Sequence, residues 1–237
     1  MSVITISRGS YTHGKEVAER VAGRLGYECL SRDVLIEISD EFNVSEFKLL
    51  RAIADAPSIL ERFTFGREKY IAYIKASILE RLQKDNMVYH GFAGHFFVQE
   101  VPHVLKVRVN AHMEDRVKAM MAREGLGHDE ALNMVKQVDE ERKDWSLKLY
   151  GIDTWDSRLY DLVITIGRFT LDQAVNMICD AVGWEGFQTT SDSQARMDEL
   201  ATEARRLVEE GRLSSPFLEP MRVGPRIRER YKKEKGL

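Results

Sequence analysis

The chain has 237 residues, 43% of them hydrophobic, and a formal net charge of -3. It is long enough to bury a sizeable core and lacks the basic balance that would make nucleic acid the expected partner. Cys29 and Cys179 are too few for a disulfide framework or a zinc cluster and read as buried thiols in a reducing compartment, while no apolar run reaches membrane-spanning length and no secretory leader opens the chain, so a cytoplasmic protein with no membrane partner is expected.

The run Val3-Ile4-Thr5-Ile6-Ser7-Arg8 is apolar and β-branched and predicts a buried strand that ends at Gly9. After Gly14-Lys15 the period changes. Val17, Val21 and Leu25, flanked by Ala18 and Ala22, mark one helical face, and Gly26 is placed to stop it. Strand, G-x-x-x-x-G-K, helix is the plan of a phosphate-binding loop over Gly9, Ser10, Tyr11, Thr12, His13, Gly14, Lys15 and Glu16. Gly9 and Gly14 are expected to turn the backbone with positive φ and admit a ligand closely. The loop N–H groups and the helix N-terminus then form an anion site, and Lys15 adds a point charge for the β- and γ-phosphates. Glu16 stands where a Ser or Thr hydroxyl usually holds magnesium. The alternative is an ordinary strand-turn-helix with a surface lysine.

A short second strand is expected over 27–30, and Ser31 or Asp33 is placed to cap a helix over 34–38. From about Asn43 to Asp85 the chain is polar and without period-two alternation, which reads as a helical insertion. Asn43 or Ser45 and Pro57-Ser58 mark helix starts there, and Tyr70, Ile74, Ile78 and Leu82 recur at helical spacing. Strands follow over 87–91 and 104–109, then a helix over 112–123 with Val117, Met120 and Met121 facing inward and Gly125 and Gly127 ending it. A long charged helix runs from Asp129 to about Leu149. A last strand covers 161–166 and stops at Gly167, and Leu171, Ala174, Val175, Ile178 and Val182 give an amphipathic helix. Strands separated by helices indicate a parallel, three-layer α/β/α domain whose ligands bind beyond the C-terminal strand ends. The turns at Gly91 and Gly167 open onto that same side.

Past Trp184 a polar linker over 188–193 precedes a helix over 194–211, which Ser214-Ser215-Pro216 breaks. The tail carries Arg222, Arg226, Arg228, Arg230, Lys232, Lys233 and Lys235. It reads either as a nucleic-acid or partner-binding arm or as solvated helix packed on the domain or on a second copy, a homodimer through the C-terminal helices. The scarcity of interleaved aromatic residues argues against nucleic acid. The expected division is a domain over 1–185, with a lid over about 112–150, and a linker with helical extension over 186–237.

Phosphoryl transfer needs phosphate clamping, in-line positioning, a divalent metal and cations around the transferring group. Arg116 and Arg123 lie two turns apart on one helical face, and Arg142 follows Asp139 by about one turn on the next helix. Two helices joined by a glycine-containing hairpin and bearing arginines make a lid that closes over phosphates. The same arginines also suit pairing with neighbouring acids on solvated faces.

The combination of Ile6-Ser7-Arg8, Gly14-Lys15-Glu16, Leu25-Gly26-Tyr27, Arg116 with Arg123, Asp139-Glu140-Glu141-Arg142 and Tyr160-Asp161-Leu162-Val163-Ile164 resembles the cytidylate kinase-like family. That family is a branch of the nucleoside-monophosphate kinases within the P-loop NTPase fold, and the resemblance covers about residues 1 to 183. It implies ATP on the loop, Mg2+, a nucleoside monophosphate that accepts the γ-phosphoryl, and a catalytic group of Lys15, Arg116, Arg123, Arg142 and Asp139. The acceptor site is expected near Ser31, Arg32, Asp33, His90 and His95. The family commonly has Asp where Ser31 stands, and Gly-Arg where this chain has Gly91-Phe92, and neutral Phe92 cannot clamp a phosphate. His90, His95 and Arg32 are the candidates to contribute there. Many P-loop kinases hold adenine at the loop after the last strand, where Arg168 either stacks on the base or lies at the surface. Two functions are in view: an ATP-dependent small-molecule kinase, and a nucleotide-binding regulatory protein on a kinase scaffold. Nucleic-acid binding through the tail is a third, with steep salt dependence as its signature.

Overall fold

The first apolar run forms strand β1 (Val3–Arg8) of a computed structural model that describes residues 2–31, 66–91 and 94–213. Among these residues β1 sits at the centre of one all-parallel sheet with β2 (Glu28–Ser31), β3 (Met87–His90), β4 (Val104–Ala111) and β5 (Leu162–Ile166), in the order β2-β3-β1-β4-β5. Parallel neighbours need crossovers. Helices α1 (Gly14–Leu25), α2 (Gly66–Leu82), the short α3 (Gly94–Phe97), α4 (Met113–Glu124) and α5 (His128–Tyr150) supply them, and α6 (Leu171–Val182) and α7 (Ser191–Leu213) follow β5. This is the three-layer P-loop architecture that the pattern of elements predicts. Among the described residues no helix is long and apolar enough to cross a membrane.

Strand alternation divides the core. Ile4 and Ile6 join Val17, Val21, Ile164 and Ile178 under α1 and α6, whereas Val3 joins Tyr73, Leu79, Leu82 and Met87 on the opposite face. Gly26, at φ 67°, ends α1 as expected by donating its N–H to the Ala22 carbonyl. Cys29 and Cys179 are free and half-buried, short of the full burial expected, and desolvation, with Glu19 adding to it, pushes the Cys29 thiol up to about 11.

The region read as a linker is shorter than expected. Thr190 N–H donates to Ser193 Oγ at 2.9 Å and Ser193 N–H to Thr190 Oγ1 at 3.2 Å, so these two residues cap each other and α7 begins at Ser191. Met197, Ala201, Ala204 and Val208 then pack on α2 and share its core cluster. A fully buried Met or Val contributes about 1.5–3 kcal/mol, so one stripe of this otherwise exposed helix is held on the domain core. Gly125, at φ 70°, ends α4, but Gly127 is the residue that starts α5 rather than a second stop. Val117, Met120, Ala131 and Val135 give that helical hairpin a small core of its own. The expected helix over 34–38, the helix starts at Asn43, Ser45 and Pro57, the Tyr70 side chain and the basic tail lie outside the described residues.

Candidate active site

The β1–α1 loop turns by a route the sequence did not suggest. Positive φ falls on Tyr11 (55°) and His13 (59°), not on Gly9 or Gly14. Left-handed backbone at non-glycine residues costs about 1–3 kcal/mol and concentrates at ligand clamps. Gly14 serves space instead: a Cβ there would lie 2.5 Å from the Arg8 Cβ. Thr12 Oγ1 closes the loop by donating to the Gly9 carbonyl at 3.1 Å. Helix α1 starts without a side-chain cap, so the first-turn N–H groups face outward as an anion site. The buried Ser10 Oγ has no protein partner among the described residues.

Residues 10–16, with Arg8, Arg123 and Arg142 opposite, line an outer cavity of about 930 Å³, within the range of nucleotide-sized pockets. The Lys15 ammonium lies 3.6 Å from Glu19 Oε1 on an exposed side chain, a surface pair that holds it weakly. Glu16 turns along the helix to accept from Arg20 Nη2 at 2.6 Å. The donor set suits ATP: an uncapped helix start, an orphan hydroxyl and cations around one cleft. Among the described residues no group of three or more His, Cys, Asp or Glu converges. Magnesium in phosphate sites is held largely by phosphate oxygens and water with one or two carboxylates, so Thr12 and Glu16 are the oxygen donors at this cavity that fit an ion arriving with a polyphosphate.

Helices α4 and α5 rest on the loop. Arg116, 4% exposed, donates through Nε to the Ser10 carbonyl at 2.8 Å and grips Asp139 with both Nη groups at 2.8 and 2.6 Å. Arg142 Nη1 donates to the Arg8 carbonyl at 3.1 Å. Arg123 is exposed, 5.8 Å over the Tyr11 ring, and pairs with Glu124, which also accepts from the Tyr11 hydroxyl at 3.1 Å. Burial, then the Glu124 hydrogen bond, holds the Tyr11 hydroxyl above its usual range.

An inner cavity of about 40 Å³ is lined by Ser7, Gly9, His95, Arg108 and Trp155 among others. Arg8 and Arg142 line both cavities. Arg108 donates through Nη1 to Ser7 Oγ at 3.2 Å and to the Tyr160 hydroxyl at 3.3 Å, and through Nε to Asn110 Oδ1 at 3.1 Å. The Tyr160 hydroxyl also meets His95 Nε2 at 3.1 Å and donates to the Thr154 carbonyl at 3.0 Å. Desolvation, with Arg108 and Lys106 nearby, lowers the His95 pKa to about 3, so its ring is neutral at physiological pH.

Of the residues singled out from sequence, Ser10, Tyr11, Thr12, His13, Gly14, Lys15, Glu16, Arg123 and Arg142 meet at the outer cavity, and Gly9, Asp139 and His95 at the inner one. Arg116 is drawn into the ion pair and lines neither. Ser31 and His90 end β2 and β3 side by side in register and line neither cavity, though Gly91, next to His90, lines the inner one. Arg168 lies in the exposed turn after β5 and also lines neither cavity. Arg32, Asp33 and Phe92 are outside the described residues. Ser7, Arg108, Trp155 and Tyr160 were missed as a group. The available signal was a pair of cations, Lys106 and Arg108, inside an otherwise apolar strand of a parallel sheet.

The sequence profile of the cytidylate kinase-like family matches residues 3–168. A cytidylate kinase of Ignicoccus hospitalis is 27% identical over 179 residues, 75% of this chain and 97% of that protein. A cytidylate kinase of Pyrobaculum aerophilum is 22% identical over 181 residues, 76% of this chain and 92% of that protein. Among solved structures, an uncharacterized protein from Eubacterium ventriosum superposes with a TM-score of 0.56 at 22% identity, covering 77% of this chain and 98% of its own, which is likeness of fold.

Proposed function

The chain belongs to the cytidylate kinase-like family, and from that membership we propose that it passes the γ-phosphoryl of ATP to a nucleoside monophosphate or a related small acceptor. The observation that carries the proposal is the sharing of Arg8 and Arg142 between the outer and inner cavities. In-line transfer needs donor and acceptor on opposite sides of the moving group with cations between them, and two cavities that share a pair of arginines support that reading.

The chain's own residues divide the work. Loop N–H groups at the start of α1 orient the polyphosphate, and the exposed Lys15 ammonium leaves Glu19 for the stronger charge of a phosphate. Arg123 and Arg142 approach from the lid to neutralise charge and exclude water. Arg116 acts indirectly, holding the Ser10 carbonyl and so the loop's shape. Bound ATP with magnesium supplies the activated phosphoryl group and screens its charge.

The test is a panel of CMP, UMP, AMP, GMP and their deoxy forms incubated with ATP and magnesium, following diphosphate and ADP formation. Turnover of at least one monophosphate is expected. ATP binding with no turnover on any acceptor would overturn the transferase reading and leave a nucleotide-binding regulatory protein.

A further inference from the structure

Strand β4 lies between β1 and β5 and carries two buried cations, Lys106 and Arg108. They are treated differently. Lys106 Nζ lies 3.3 Å from the Asp161 carboxylate and donates to the Val104 carbonyl at 2.9 Å. Arg108, only 6% exposed, meets the neutral acceptors Ser7, Tyr160 and Asn110, and no carboxylate among the described residues lies within ion-pair reach of it. Its Nη2 has no protein acceptor among them either. The rings of Trp155 and Tyr160 sit 5.0 and 5.6 Å from the guanidinium carbon, and Arg108 lines the inner cavity together with Trp155. A buried cation without a counter-ion is costly, and such groups cluster where an anion binds.

Among the described residues the surroundings add no compensation. Arg8 and Arg142 line the same cavity, and both oxygens of its acid, Asp139, are engaged by Arg116. His95 stays neutral there because desolvation and Arg108 oppose its protonation. A space of about 40 Å³ admits a few waters or one compact oxyanion and excludes a ring. We propose that Arg108 is a binding residue for the acceptor's oxyanion, a phosphate monoester group seated in the inner cavity beside Ser7, Gly9 and Arg142. The identity of that anion as the acceptor's rests on the transferase reading above; the site itself does not. The half-exposed Trp155 at the same cavity offers a face for whatever the phosphate carries.

Calorimetric titration without ATP tests it, using inorganic phosphate, CMP, acetate and cytidine on the full chain and on Arg108→Met and Arg108→Lys. Phosphate and CMP should bind Arg108→Met about tenfold to a hundredfold more weakly than wild type. Arg108→Lys should fall between, since it keeps the charge and loses the fork. ATP affinity should stay within about twofold, and the Met variant should melt no lower than wild type because an uncompensated buried charge has gone. Tighter acetate than phosphate binding would reassign the anion to a carboxylate and overturn the phosphate assignment. Equal phosphate and CMP affinity in wild type and Arg108→Met, parallel loss of ATP binding and thermal stability in that variant, or discrimination of cytidine by Arg108 as strong as that of CMP would also overturn the proposal. Arg108-dependent phosphate binding in a protein that transfers nothing upholds the anion site but removes its acceptor role. Transfer with an acceptor KM unchanged in Arg108→Met removes the site and leaves the transferase reading standing.

Discussion

Asp139→Asn turns one oxygen of the carboxylate that grips Arg116 into an amide nitrogen and leaves the side-chain volume unchanged. The two side chains are only 5% and 12% exposed, so solvent screens their attraction little. Breaking such a pair from one side costs about 3–5 kcal/mol, because the other charge is left buried. Asparagine keeps one acceptor, which puts the expected loss at or just below the bottom of that range, at about 2–3 kcal/mol. For a chain of this length that lowers the thermal midpoint by about 4–12 °C. The loop should loosen as well, since the same guanidinium holds the Ser10 carbonyl at 2.8 Å, and ATP affinity should drop severalfold. Thermal and urea denaturation with an ATP titration read both effects. The double variant Arg116→Met with Asp139→Leu supplies the control: it should be less destabilised than Asp139→Asn alone, as both charges are gone. A midpoint within a degree of wild type, or a double variant that loses the sum of its two single changes, would refute the brace.

Lys15→Ala should abolish transfer while moving stability by no more than about 0.5 kcal/mol, because the side chain is 65% exposed and its pair with Glu19 is a surface one; wild-type turnover in this variant would remove the loop assignment. Gly14→Ala should lose ATP binding and stability together through the 2.5 Å clash with the Arg8 Cβ, and a normal calorimetric isotherm would contradict it. Acid should weaken the fold through His95: below about pH 6.5 the unfolded chain takes up a proton that the folded ring refuses until about pH 3, so stability present above pH 6.5 is lost as pH falls. His103 is lowered too, chiefly by desolvation, so the comparison with His95→Gln isolates the one ring, and the wild-type curve should be steeper by up to about 1.4 kcal/mol per pH unit between pH 6 and 4; parallel denaturation curves would discount it.

What could be read from sequence is what is local. The β1 run, the Gly-Lys spacing and the period change at Val17 sit within a few turns of one another, and strand, loop and helix follow from them. The positive-φ assignment missed because glycine has two uses. Chain pattern suggests its conformational freedom, whereas the need at Gly14 comes from the Arg8 side chain folding back over it. Helix α7 looked like an appendage because two alanines, Ala201 and Ala204, make up half its buried stripe, and small residues give a weak apolar signal. The ion pairs were beyond reach for another reason. Asp139 meets Arg116 across a hairpin, and Asp161 meets Lys106 across neighbouring strands, so which acid serves which base is decided by topology.

Topology also bears on why Arg108 has no carboxylate partner among the described residues. Among the described residues three Lys and Arg are buried, and Lys106 and Arg116 each have a carboxylate there while Arg108 has none. Scarcity of acids is no explanation, as the chain holds 38 Asp and Glu against 35 Lys and Arg. Nor is geometry, because Asn110 Oδ1 already accepts from Arg108 Nε at 3.1 Å, and aspartate there would supply the counter-ion with almost no change of shape. A neutral amide at that position keeps the guanidinium charge available to something else. Asn110→Asp should therefore stabilise the fold by about 1 kcal/mol, the gain of a charged over a neutral hydrogen bond, and raise the thermal midpoint by about 2–4 °C. It should at the same time weaken CMP and inorganic phosphate by about tenfold or more, since the new carboxylate competes for the same edge and repels the incoming anion. Differential scanning calorimetry and titration on the one variant measure both. A purely structural Arg108 would take the added stability and leave phosphate binding where it was, and that result would defeat the argument.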